Sequence, residues 1–134
     1  MSPSHFRELE VWNLAMSLAK VSYQVTASFP KDERFGLSSQ IQRAAVSIPS
    51  NIAEGNARSS TRDYARFVSI ACGSTAELQT QLLLAIELNL GNAESIQNAL
   101  DIWECASKML RRLHQALSIK SESGSPVPDP RSRS

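Results

Sequence analysis

Glycine, aromatic residues, cysteine and histidine are all scarce in this chain, and each scarcity narrows what it can be. Five glycines in 134 residues, with few long β-branched runs, argue against a sheet-rich fold and for helix. No GxxxxGK[ST] and no GxGxxG occurs, so a phosphate cradle of either type is excluded. The two histidines, His5 and His114, form no HExxH and no Glu-x-x-His pair, so no metal centre and no cofactor is expected. His114 reads as a boundary residue beside the basic pair Arg111 and Arg112. The two cysteines, Cys72 and Cys105, lie in apolar helical patterns and read as reduced core residues. Activation of either would fall to His114, cysteines on apolar helix faces are inert core residues, and no serine has an obvious base partner, so no nucleophilic site and no catalytic residue is assigned. Charge of one sign is lacking too: 14 Lys+Arg against 13 Asp+Glu leave a net charge of +1. That balance gives no global pull toward nucleic acid, although it can hide a local basic patch.

Long apolar runs are also missing. The longest, LLLAI at 82–86, falls far short of the roughly 20 residues that span a bilayer. The opening MSPSHFRELE has no apolar stretch of the signal-peptide kind, so a cytoplasmic protein without membrane contact is expected.

What is present is helical periodicity. Apolar positions from Glu8 to Phe29 predict a first helix, ended by Phe29-Pro30, with Asp32 or Ser38 as alternative caps for the next. The second segment carries the stripe Leu37, Ile41, Ala44, Ile48 and Ile52, which crosses Pro49 without losing phase. A true break would reset that phase, so one proline-kinked helix is predicted, running to Gly55 as its C-terminal punctuation. Ser60-Thr61-Arg62-Asp63 has the form of a capping box, opening a third helix that Gly91 closes. This helix is apolar on more than one face, and LLLAIELNL exceeds what a lone bundle buries. Either it is the central helix or the surplus is a subunit interface. The stripe Ile96, Ala99, Trp103, Ala106, Leu110, Leu113 and Leu117 predicts a fourth helix with shallow-angle packing. The expected architecture is all-α: an up-down-up-down antiparallel four-helix bundle over residues 1–119, with a disordered Pro- and Ser-rich tail over 120–134.

Two groups of side chains invite a functional reading. Pro49, Asn51, Glu54 and Gly55 mark the junction of the second and third helices, where Glu54 and Arg58 stand at ion-pair spacing. A clamp on that junction is the plainer reading; a polar pocket, or an enzyme using Asn51 and Glu54, is the sharper one. Arg58, Arg62 and Arg66 recur at i, i+4, i+8 and form a basic stripe if helix geometry reaches back to Arg58. Lys108, Arg111 and Arg112 add a second cluster. Solvated faces, with Asp63 and Glu104 partly neutralising them, compete with phosphate contacts to nucleic acid. Tyr64 and Phe67 are the only aromatics nearby for stacking bases.

LEVWNLAMSLA, FGLSSQIQRAAVSIPSNIAEGNARSS and RFVSIACGSTAELQTQL together resemble the 23S rRNA intervening-sequence proteins, over roughly residues 8 to 118. Gln42 stands where relatives often carry a basic residue. The resemblance implies a bacterial four-helix bundle that assembles as a homopentamer. It implies little about activity; the missing site motifs are what argue against an enzyme and a small-molecule substrate. A related branch, the accessory variability proteins of diversity-generating retroelements, comprises basic pentameric bundles that bind nucleic acid and a reverse transcriptase. The expectation is therefore a homo-oligomer, possible partner of RNA or a nucleoprotein; the alternative is a protein-interaction scaffold without nucleic acid.

Overall fold

A computed structural model describes residues 5–33 and 36–123. Among them every regular element is helical: α1 (Glu10–Ala27), α2 (Leu37–Asn56), α3 (Thr61–Glu87) and α4 (Ala93–Ser123). Single 3-10 turns at Phe6–Glu8 and Lys31–Glu33 lead into α1 and α2.

The helix ends show what the sequence pattern left open. α1 starts at Glu10 rather than Glu8 because Leu9 is extended, at φ −78° and ψ 124°. The Asn13 amide holds that lead-in by donating to the carbonyls of Arg7 (2.9 Å) and Leu9 (3.0 Å). Neither Asp32 nor Ser38 caps α2. Gly36 takes the N-cap position, and the Glu33 carboxylate accepts from the Leu37 N–H at 3.4 Å. Ser60 caps α3 as expected, its Oγ accepting from the Asp63 N–H at 3.0 Å. α3 ends on Asn89 instead of Gly91: Asn89 takes φ 55°, and the Leu90 and Asn89 N–H groups donate to the carbonyls of Ala85 and Ile86. This is a Schellman closure with asparagine in the left-handed position. Asn92 then caps α4 by accepting from the Ser95 N–H at 3.0 Å. α4 runs to Ser123, past the boundary expected at 119; the rest of the tail, 124–134, lies outside the described residues.

α2 is continuous through Pro49, as the unbroken apolar stripe requires. Proline inside a helix removes the hydrogen bond to the carbonyl four residues back and costs about 3 kcal/mol or more. Burial offsets that cost here: Pro49 is itself buried, between the fully buried Ile48 and Ile52. Gly55 is not the end of the helix. It sits inside the last turn, buried against α3, and the chain leaves the helix at Ala57.

Each helix packs on two neighbours, α1 on α2 and α4, and α3 on α2 and α4, with no diagonal pairing among the described residues. Cross-helix hydrogen bonds fix the register. Gln42 donates to Thr26 Oγ1 (3.0 Å), Ser47 and Ser74 share a hydroxyl bond (2.8 Å), and the Trp103 indole donates to the Thr75 carbonyl (2.7 Å). Sequence neighbours are thus antiparallel and the topology is up-down-up-down, around a core that includes Leu18, Ile41, Ile48, Ile52, Leu78, Leu82, Ile96 and Leu110.

One core position breaks the apolar stripe of α1. Ser22 is fully buried and its hydroxyl has no hydrogen-bond partner. A buried unpaired polar group costs about 1–3 kcal/mol, so Ser22→Ala should stabilise the chain by about 1 kcal/mol. Urea unfolding at fixed protein concentration checks this, and a lower midpoint would show that the hydroxyl is satisfied in solution.

Candidate nucleic-acid interface

The antiparallel topology brings the end of α2, the start of α3 and the second half of α4 to one half of the bundle. All six basic residues singled out in the sequence lie there. They do not form one stripe. Arg58 lies beyond the α2 cap at Ala57, in the turn before α3, so only Arg62 and Arg66 share a helical face. Arg58 joins them another way. Its guanidinium stands 4.7 Å from the centroid of the Phe67 ring, and that of Arg66 stands 4.5 Å from the same centroid. One aromatic ring, itself only 8% exposed, holds two guanidinium groups by cation–π attraction.

Part of this charge is paired. Arg58 meets Glu54 at 2.8 Å, Arg66 meets Asp63 at 3.6 Å, and Lys108 meets Glu104 at 3.3 Å. Both partners in each pair are about half exposed, so solvent screens the attraction to roughly 0–1 kcal/mol. Arg62, Arg111 and Arg112 are exposed and have no ion-pair partner among the described residues. The opposite half of the bundle carries Glu77, Glu87, Glu94 and Asp101 on α3 and α4, with Asp32 and Glu33 before α2. The basic half also holds Glu8, Glu10 and Glu122, and the acidic half Lys31 and Arg43, so the separation of charge is partial.

The junction residues divide between tasks. Glu54 clamps Arg58, the plainer of the two readings. Asn51 turns away from Glu54 and donates to the Ser47 carbonyl (2.8 Å) and Ser47 Oγ (3.0 Å), bracing the Ser47–Ser74 contact between α2 and α3. Gly55 lets the two helices touch: a Cβ there would lie 2.8 Å from the Phe67 Cβ and 3.2 Å from the Tyr64 carbonyl. Asn51 and Glu54 do not converge on a common point, and the arrangement offers no acid–base pair.

Phe67 presents no free face for a nucleobase, and Tyr64 is partly buried. Burial pushes the Tyr64 phenol above its usual range, with the Asn56 amide at 3.4 Å pulling it back, and the two arginines cover Phe67. Cys72 is partly buried and its thiol is pushed up by burial, offset by the charge of Arg111. Cys105 is exposed, contrary to its reading as a core residue: it lies on the solvent side of the fourth stripe. Both are free. Among the described residues no group of three or more metal-ligating side chains occurs, and no helix is long and apolar enough to cross a membrane.

The apolar surplus on α3 is not taken up by the bundle. Ile70, Leu83, Leu84, Ile86 and Leu88 are all more than two-fifths exposed, which discards the reading of α3 as the central helix. No curated protein matches the chain at the significance threshold. The sequence profile of one family does match, across residues 7–112, a range that takes in α1, α2, α3 and α4 as far as Arg112. The chain belongs to the 23S rRNA-intervening sequence protein family.

Proposed function

We propose that the chain works without catalysis, as a homo-oligomeric ring that holds RNA or a ribonucleoprotein on its basic pole. The observation that carries this reading is the gathering of unpaired Arg62, Arg111 and Arg112 with the ring-held Arg58 and Arg66 in one half of the bundle. Copies standing side by side in a ring repeat that pole around one face, turning a modest patch into a continuous basic surface. Five copies is the number that the resemblance to pentameric relatives supports. The exposed apolar residues of α3 support assembly, since a lone bundle gains nothing by leaving them in water. Phosphate contact is the mode this surface suits, because it offers guanidinium groups and two of them cover its Phe67 ring.

Titration of the purified protein with a structured RNA tests the reading. Affinity should fall by about tenfold or more between 50 and 200 mM salt, the response to releasing counterions from several phosphates. Replacing Arg62, Arg111 and Arg112 together by alanine should weaken binding by about tenfold with the solution mass unchanged. Binding that is undetectable at low ionic strength, or indifferent to salt, overturns the RNA reading. The exposed apolar surface then leaves a protein-interaction scaffold as the alternative.

A further inference from the structure

The outer groove between α2 and α3 is built to receive something. Two adjoining hollows of about 390 and 410 Å³ share Gln40, Glu77 and Gln81 among their lining residues. Gln81 is only 7% exposed, yet its Oε1 accepts no hydrogen bond. That oxygen is covered as the amide stands, so a donor from outside the bundle reaches it when the Gln81 amide turns toward the hollows it lines. Glu77, one turn away on the same face of α3, has no ion-pair partner among the described residues. Gly73 leaves the groove open, for a Cβ there would meet nothing within 4 Å. The exposed side chains of Ile70 and Leu84 stand on the same outer side of α3. Arg43 lines one hollow as well but makes no ion pair with Glu77, so the groove suits an occupant that offers Glu77 a cation at its Gly73 end, with a hydrogen-bond donor and apolar atoms on the same narrow ridge.

The chain carries such a ridge itself. On α1, Met16, Lys20 and Tyr23 follow at i, i+4, i+7 on the face turned away from the core, with Met16 45% and Tyr23 46% exposed. Neither the Lys20 ammonium nor the Tyr23 hydroxyl has a partner among the described residues. The register fits as well. Counting along the antiparallel helices from the Thr26–Gln42 and Ser47–Ser74 contacts places Met16 level with Ser69, next to Ile70, Lys20 with Gly73 and Tyr23 with Ala76. α1 and α3 also run in the same direction. Bundles standing parallel to the axis of a closed ring have no shift along it, so a neighbour's α1 arrives at that level and in that direction.

From this fit we infer that the Met16–Lys20–Tyr23 ridge of one copy seats in the α2–α3 groove of the next. Met16 meets Ile70. Lys20 lies over the space above Gly73 and pairs with Glu77, and the Tyr23 hydroxyl donates to Gln81 Oε1. Ridge and groove are different surfaces, so the contact is heterologous. On a square bundle the α1 corner and the α2–α3 face are not diametrically opposed, so successive copies turn toward closure instead of stacking in a line. This interface rests on the oligomeric reading above and assigns it residues.

Zero-length carbodiimide coupling on a mixture of ¹⁴N- and ¹⁵N-labelled protein tests it, with a mixed-label Lys20–Glu77 crosslink as the expected product. Lys20→Glu and Glu77→Lys should each raise the dissociation constant of the oligomer by about tenfold, and the double swap should restore it. Gly73→Leu fills the groove from a position that faces open space, so helicity should persist while the oligomer dissociates. An oligomer of wild-type affinity in Lys20→Glu and Gly73→Leu overturns this interface and leaves the oligomeric reading standing. A wild-type chain that stays monomeric at high concentration overturns both.

Discussion

Replacing Gly55 by alanine is expected to destabilise the chain by about 2 kcal/mol, although alanine favours a helix interior over glycine by about 1 kcal/mol. The new methyl would lie 2.8 Å from the Phe67 Cβ and 3.2 Å from the Tyr64 carbonyl. Neither atom is the free end of a flexible side chain, so rotation cannot relieve the overlap and α2 must move off α3. Gly73 is the matched control. It too is helical, but a Cβ there meets nothing within 4 Å, and Gly73→Ala should stabilise by about 0.5–1 kcal/mol. The two substitutions share their chemistry and their helical setting, so opposite signs isolate the helix crossing as the cause. Chemical unfolding at a concentration low enough to keep the chain monomeric reads both, because Gly73 lines the groove assigned to a neighbouring copy. Destabilisation of the same size at both glycines would sink the close-approach account of Gly55.

That contrast also marks how far the sequence could be read. The stripe Leu37, Ile41, Ala44, Ile48 and Ile52 announces a helix that survives Pro49, because periodicity is a local property and each of these residues is buried. The fourth stripe is legible through the same periodicity, although Trp103 and Leu113 in it are only partly buried. Gly55 is misleading because glycine near the end of a periodic segment has two meanings, a left-handed cap or a close approach, and only the neighbouring helix decides between them. The end of α3 fails in the complementary way: Asn89 takes the left-handed position two residues before the glycine that looks better suited to it. Glu33 as the cap of α2 depends on a 3-10 turn that no periodicity signals.

The candidate site divides along the same line. Glu54 and Arg58 pair at the spacing the sequence shows, a one-helix-turn relation. The placing of Arg58 beside Arg66 through Phe67 needed the α2–α3 turn, which carries Arg58 off the helical track assumed for it. Ser22, Gln81 and Phe67 were unreadable as special residues, since an orphaned hydroxyl, an orphaned amide and a ring between two cations are properties of surroundings. The partial separation of charge between the two halves is likewise a consequence of folding. Residues 58–66 and 108–112 are far apart in the chain and share one half of the bundle only because α3 and α4 are antiparallel.

Phe67→Ala should be among the most damaging single substitutions, costing about 3–5 kcal/mol. The ring is nearly buried against the α2 crossing, where Gly55 has no side chain with which to refill the space. Loss of transfer energy and an unfilled void therefore add. Two cation–π contacts go with it, at about 0.5–1 kcal/mol each for groups this exposed. Phe67→Leu separates the two roles. It keeps most of the buried volume, so the cost should be no more than about 1.5 kcal/mol, but it removes the aromatic face that holds Arg58 and Arg66. If those arginines touch phosphate from the positions the ring gives them, Phe67→Leu should weaken RNA binding by about threefold in a protein whose helicity and mass are unchanged. Full RNA affinity in that variant would mean that Phe67 serves packing alone. The basic pole would then depend on Arg62, Arg111 and Arg112, whose guanidinium groups no aromatic ring fixes.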